Sequence, residues 1–311
     1  MNEPVLHVAS TCDSRYVLYS ATMLRSLFTH NPGRRVAVHV LCPPELGQAH
    51  RDALRGVAAR FGHGMTFHAV GDERVAGLPQ MRNLRRLSWY RVFLPELLPD
   101  VDRLLYLDGD VLVVDRIGEL CEAELGGHAL AAVPNVIEPR TRSQLLPALG
   151  LPADARYFNA GIMLMDLRAM RQAGFTDRVL EFARANHSRL VWGDQDALNG
   201  FVRGAYQPLH PRWNCMNALF YFSCARDVFD AATLEQARSA PALLHFEGPD
   251  DVKPWHVAST HPWRRRYLRQ LTAALWLLPL PLSTRLALSL WYALPMPVRR
   301  VLARLRKAAR P

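Results

Sequence analysis

The chain has 311 residues, 50% of them hydrophobic and 21% charged, a composition that excludes an intrinsically disordered protein. The five cysteines, Cys12, Cys42, Cys121, Cys215 and Cys224, never fall in a CxxC spacing, which argues against a disulfide framework or a thiolate zinc site and fits a reducing compartment. The net charge of +10 sits in a tail: from Arg264 onward there are ten Arg, Lys307 and no acid, leaving 27 basic against 28 acidic residues before it, so a nucleic-acid-binding body is not expected.

In chain order, Val5–Ala9 reads as a strand, too short for a signal-peptide core, so no export is expected. Tyr16–Phe28 reads as a helix, and Val36–Leu41 as a strand after the turn residues Asn31-Pro32-Gly33. Glu45–Phe61 follows as a helix and Met65–Val70 as a strand. This alternation predicts an α/β protein with a mainly parallel sheet covered on both faces. Ligands of such sheets gather at the carboxyl ends of the strands. Further on, Arg103–Leu107 and Ile162–Met165 are short apolar runs, and Thr176–Asn186 and Asp196–Val202 read as helices. After Trp255 the acids vanish and Pro279, Pro281, Pro295 and Pro297 punctuate a Leu-rich stretch. The boundary of the catalytic body is placed near residue 260, giving a domain over 1–260 and a tail over 261–311.

The uncharged runs of the tail, Gln270–Thr284 and Leu286–Val298, fall short of the roughly 20 residues a spanning helix needs, and prolines break both. At 100° per residue, Val298, Val301, Leu302, Leu305 and Ala309 share one arc. Arg299, Arg300, Arg304, Arg306, Lys307 and Arg310 occupy the other. A basic amphipathic helix of this kind suits an anionic membrane surface; the alternative is a helix that packs its apolar face on the body.

Chemistry-bearing residues cluster in few places. Asp108 and Asp110 flank Gly109, and residues two apart on an extended chain point to one side, where both carboxylates meet one hard cation. Asp-Gly between apolar runs is equally a hairpin signal. His245 would move such a site toward manganese or another transition ion. Lys253, one of two lysines beside 36 arginines, suits a phosphate oxygen as a point charge. Asp194 reads either as a site carboxylate or as a helix N-terminal residue. Asn159-Ala160-Gly161 reads either as site residues or as a tight turn before a buried strand. Asp13 and Tyr16 follow the first strand, at the ligand-binding edge.

Taken in order, TCDSRYVLYSATMLRSL, LSWYRVFLPELLPDVDRLLYLDGDVLV, YFNAGIMLMDL, WGDQDALNG and HFEGPDDVKPW resemble the motifs of glycosyltransferase family 8, the retaining nucleotide-diphospho-sugar transferases, over about residues 5–256. The tail is similar to the peripheral membrane anchors of the family's bacterial lipopolysaccharide branch. The resemblance implies a single GT-A type domain, α/β/α around a mixed sheet, with a basic amphipathic helical tail. It implies Asp108, Asp110 and His245 as ligands of Mn2+, or of Mg2+, bridging the donor phosphates. Lys253 and Gly248 would touch the diphosphate, Asp13 and Tyr16 the uracil, and Thr11 and Gly109 adjoining parts of the donor. Arg91 would face the phosphate and sugar, and Asn159, Asp194 and Gln195 the donor sugar, Gln195 nearest the reacting carbon. Asn135 stands where an acidic sugar contact is common, Arg15 where a small polar residue is common, and the HFxGxxKPW pattern carries two extra residues.

The function implied is transfer of galactose or glucose from a UDP-hexose to a saccharide or glycolipid acceptor such as a lipopolysaccharide or lipooligosaccharide core, with no nucleic acid among the partners. The expected location is cytoplasmic, on the inner face of the membrane. A glycogenin-like self-glucosylating initiator and a non-catalytic UDP-sugar-binding protein are the alternatives.

Overall fold

The computed structural model describes residues 5–79 and 86–308. The strands are β1 (Leu6–Thr11), β2 (Val36–Cys42), β3 (Gly64–Ala69), β4 (Arg103–Leu107), β5 (Val111–Val113), β6 (Leu130–Pro134), β7 (Phe158–Asp166), β8 (Gln207–Pro208), β9 (Cys215–Met216) and β10 (Leu243–His245). Seven of them form one sheet in the order β3-β2-β1-β4-β7-β6-β8, and the other three a small sheet in the order β5-β10-β9. The large sheet is parallel except for β7, which runs antiparallel to both of its neighbours. The expected mixed, mainly parallel α/β architecture is therefore present.

Alternation along the central strands divides two cores. Leu105 and Leu107 of β4, with Ile162 and Leu164 of β7, pack into the layer that contains the Val17–His30 helix. Leu104, Tyr106, Met163 and Met165 point into the opposite layer. Both faces are covered, so these strands read as continuous apolar runs rather than as alternating ones.

Two local readings are corrected by the topology. Asp108-Gly109-Asp110 is not a hairpin: β4 pairs with β1 and β7, while β5 pairs with β10 in the second sheet. The chain changes sheets at this tripeptide, which places both carboxylates at a carboxyl strand end. Asn159-Ala160-Gly161 is not a turn but lies inside β7. The helix from Asp194 to Val202 begins two residues earlier than its apolar pattern indicates, because Gly193 supplies a positive φ of 55° at its N-cap.

The change of composition near residue 260 does not mark the edge of the core. The Arg264–Leu275 helix buries Tyr267, Leu268, Leu271, Ala274 and Leu275, a helical stripe packed against the Val17–His30 helix. The next helix, Leu282–Ala293, buries no residue fully. On it Leu282, Leu286 and Leu290, spaced one turn apart, stand in the open, and so do Val298, Val301, Leu302 and Leu305 of the last helix, Met296–Ala308. Arg299, from the basic arc, is fully buried instead. The last helix thus turns its apolar arc outward, opposite to a helix that packs its apolar face on the body. Side chains from Arg306 onward, with residues Ala309 and Arg310 of the predicted helix, lie outside the described residues. No described helix is long and apolar enough to cross a membrane.

Candidate active site

Asp108, Asp110 and His245 converge where β4 ends, β5 begins and β10 ends. The register of β10 on β5 sets His245 opposite Val111, one residue beyond Asp110. Nε2 of His245 lies 3.4 Å from Asp110 Oδ1 and 3.8 Å from Asp108 Oδ2, and one ligand atom from each residue falls within 4.8 Å of the others. Neighbouring ligands of a six-coordinate ion with bonds of about 2.1 Å are separated by roughly 3 Å, so this spacing suits a divalent cation.

The histidine is oriented for that task. Asn214 Oδ1 lies 3.0 Å from His245 Nδ1 and fixes it as the N–H donor, so that the Nε2 lone pair faces the carboxylates, the arrangement typical of a metal-bound imidazole. Asn214 is itself held by Asn159, whose Oδ1 accepts from Asn214 Nδ2 at 2.9 Å and from the Gly161 amide at 3.0 Å. Gly161 has no room for a side chain, since a Cβ there would meet His245 Cε1 at 2.1 Å and Asp108 Oδ2 at 2.9 Å. The residues present therefore fit an oxygen- and nitrogen-ligated divalent cation, and the donor set does not name the metal.

Charge is balanced tightly around the two carboxylates. Burial pushes the Asp108 carboxyl above its ordinary pKa, aided by Asp110 and opposed by Arg91. Burial acts on Asp110 too, but the Lys253 ammonium and His245 outweigh it and hold that carboxyl well below its usual range. Burial would lower His245, yet the Asp110 carboxylate raises it. Lys253 Nζ donates to Asp110 Oδ2 at 2.5 Å and to the Phe246 carbonyl at 2.6 Å. It is thus beside the candidate metal-binding group.

Arg91 links the carboxylate pair to the predicted sugar-contacting residues. It is buried, lies over the Tyr106 ring at 4.7 Å, and pairs with Asp108 at 3.3 Å and Asp194 at 3.0 Å. Its Nη1 donates to the Ala160 carbonyl. Gln195 Oε1 accepts from the Ala160 amide at 3.0 Å, and its Nε2 donates to Tyr157 at 3.3 Å. Asp194 is the first residue of its helix, after the N-cap Gly193, and its carboxylate pairs with Arg91. Asn159, Arg91, Asp194 and Gln195 are thereby gathered around one end of β7.

The predicted nucleotide side is assembled less directly. Asp13 Oδ1 accepts from the amides of Arg15 and Tyr16, closing the turn that starts the Val17–His30 helix. Tyr16 packs over Gly109, where a Cβ would come within 3.2 Å of its ring. The Tyr16 ring also meets those of Tyr19 and Trp255 edge-on. Thr11 Oγ1 lies 3.4 Å from the Tyr106 hydroxyl, which donates to Asp108 Oδ1 at 2.7 Å. Gly248 takes φ +94°, a conformation suited to glycine. Asn135 is buried, its main-chain N–H donating to the Tyr157 carbonyl at 2.7 Å.

Three supporting residues were not legible as site residues. Asn214 stands alone between Trp213 and Cys215 with no motif around it. Tyr106 reads as one more apolar strand residue. Glu247 carries the most visible signal, an acid two residues after His245, and its half-buried carboxylate accepts from the main-chain N–H groups of Asn217 and Ala218.

A parallel-dominated sheet with a carboxylate pair at a sheet-switching strand end is the arrangement of the GT-A fold. The solved structure of galactosyltransferase LgtC in complex with donor and acceptor sugar analogs shares that fold with a TM-score of 0.78, at 26% identity, covering 90% of this chain and 99% of that one. The profile of Glycosyl transferase family 8 matches residues 7–259, and the chain belongs to this family. It is a glycosyltransferase. Among its relatives, General stress protein A of Bacillus subtilis is 25% identical over 88% of this chain and 96% of its own. Lipopolysaccharide 1,2-glucosyltransferase of Escherichia coli is 26% identical over 68% of this chain and 62% of its own. Lipopolysaccharide 1,3-galactosyltransferase of Salmonella typhimurium is 22% identical over 87% and 79%.

Proposed function

We propose that this protein transfers galactose or glucose from a UDP-hexose, with retention at the anomeric carbon, to a glycan acceptor of the lipopolysaccharide or lipooligosaccharide core type. The observation that carries the reading is the convergence of Asp108, Asp110 and a tautomer-fixed His245 beside Lys253 and Arg91. Asp108, Asp110 and His245 would hold manganese, which when bound supplies positive charge to the leaving diphosphate. Lys253 and Gly248 line the diphosphate, and Lys253 adds a fixed positive charge, the kind of preorganised electrostatics that usually dominates catalysis. Asp13, Tyr16, Thr11 and Gly109 hold the nucleotide.

Asn159, Asn135, Arg91, Asp194 and Gln195 orient the hexose. The Gln195 amide is a poor nucleophile, and the Asp194 carboxylate is buried in an ion pair with Arg91. Both features favour attack by the acceptor from the face that the diphosphate leaves, with a phosphate oxygen taking the acceptor proton. The relatives named for lipopolysaccharide transfer support the acceptor class. The outward apolar arc of the last helix and the open leucines before it support attachment of the tail, through the Leu282–Ala293 and Met296–Ala308 helices, to the inner face of the cytoplasmic membrane. Basic side chains near an anionic leaflet add about 1 kcal/mol each.

The test is UDP release by the purified protein from UDP-glucose and UDP-galactose, offered separately with manganese and with a chelator. Manganese-dependent release from one donor is expected. Absence of release together with absence of UDP binding by calorimetry would overturn the reading.

A further inference from the structure

Arg299 lies on the outermost helix of the described chain, yet its side chain is fully buried. The guanidinium sits over the rings of Trp291 and Tyr292, 4.9 and 5.2 Å from their centroids. Its Nη2 donates to the Trp255 carbonyl at 3.0 Å. Arg300, the next residue, donates to the Val257 carbonyl at 3.1 Å and the Ala258 carbonyl at 3.5 Å. The last helix therefore grips the main chain just after Lys253.

That main chain carries two parts of the site. The Lys253 carbonyl accepts from the His256 amide at 2.9 Å, so the gripped turn continues directly into the residue whose ammonium reaches Asp110. The Trp255 ring stacks on Tyr19 at 3.9 Å and meets Tyr16 edge-on, and Tyr16 covers Gly109 between the two carboxylates. Stability alone is a weak reason for this arrangement. Nε and Nη1 of Arg299 have no hydrogen-bond partner among the described residues, and an apolar side chain in such a place usually serves stability as well or better.

We propose that Arg299 is a positioning residue for donor binding: from the last helix it fixes the 253–258 main chain, and through it the Lys253 ammonium and the Tyr16–Tyr19–Trp255 ring cluster. This rests on the reading that Lys253 and Tyr16 contact the nucleotide-sugar. It makes the tail part of the donor site as well as a surface anchor, so the state of the last helix is felt at the metal-ligand set.

The experiment uses the full chain without vesicles. Arg299→Met keeps the packed stem and removes the donors. It is expected to raise the donor KM and the UDP Kd about tenfold and to lower kcat several-fold, because the ammonium that Arg299 positions both binds the diphosphate and stabilises its departure. Arg299→Lys restores a donor and a charge and recovers most of the loss. Hydrogen exchange of the 253–258 amides is followed without nucleotide and rises in Arg299→Met. Arg300→Met, at an exposed position, gives a smaller shift in the same direction and carries the test should Arg299→Met not fold. A lowered Tm with unchanged KM and Kd overturns the proposal, as does unchanged exchange of the segment. Wild-type protein that binds no UDP would instead fail the donor reading, and the exchange measurement still decides whether Arg299 holds the segment.

Discussion

At the scale of single residues, the candidate site depends on the packing behind the Asp108, Asp110 and His245 side chains. Gly161 is the sharpest case, because a Cβ there would overlap the His245 ring and press on Asp108. Both neighbours are packed inside the site and have little room to retreat. Overpacking of this kind costs about 1–3 kcal/mol of stability, but its larger effect is to turn Nε2 away from the carboxylates. Gly161→Ala is expected to lower metal-dependent UDP release about 10- to 100-fold while keeping a cooperative thermal melt, both read on the same preparation. Gln195 makes the opposite case. Its bonds run to Ala160 and Tyr157 rather than to the carboxylate pair. Gln195→Ala should therefore leave UDP affinity, measured by calorimetry, within about twofold and slow hexose transfer about 10- to 100-fold; a matching loss of UDP affinity would place the residue at the nucleotide instead.

At the scale of elements, the last three helices differ in kind although their sequence reads as one basic, Leu-rich tail. Arg264–Leu275 is a core helix, and its removal would strip Tyr267 and Leu271 from the Val17–His30 helix. Leu282–Ala293 and Met296–Ala308 instead present Leu290 and Leu305 at 67% and 60% exposure. A single exposed leucine needs no explanation, whereas a run over two consecutive helices marks an interaction surface. A chain ending at Pro281 is expected to melt cooperatively and to lose binding to vesicles of phosphatidylcholine with phosphatidylglycerol, read by co-sedimentation. A chain ending at Trp263 is expected to aggregate or melt early. Undiminished vesicle binding by the first truncation would remove the anchor reading.

At the scale of the whole molecule, the half-buried His39 and the buried His261 contribute to the acid side of stability. His39 lies between His7 and His68 on neighbouring strands, and burial, helped by those two rings, holds its pKa at about 4. Burial holds His261 at about 4 as well, among the rings of Phe220, Tyr221 and Phe246. An unfolded histidine titrates near 6.5. The folded values lie below the unfolded one, so the unfolded chain binds more protons between them. The contribution is complete above about pH 6.5 and is lost as pH falls toward 4. The Tm should be flat near neutrality and fall across that window, and His261→Gln should make the fall shallower. An unchanged slope in the variant would remove His261 as a contributor.

Much of this was open to reading from the residues in order. Strand and helix periods, the Asp108–Asp110 spacing and the ordered motifs are local properties of the chain, so they carry the sheet type, the family and the candidates for a metal-binding group without reference to contacts. What they do not carry is which distant segments meet. The hairpin and turn readings at Asp108–Asp110 and Asn159–Gly161 failed because hydrogen-bond partners, not propensity, decide whether a strand folds back or changes sheet. Asn214 has no local signature, since its role exists only once β9 lies beside β10. The amphipathic period of the last helix shows that its two faces differ. Which face turns inward was decided by the carbonyls of Trp255, Val257 and Ala258, which the rest of the fold presents to the guanidinium groups of Arg299 and Arg300.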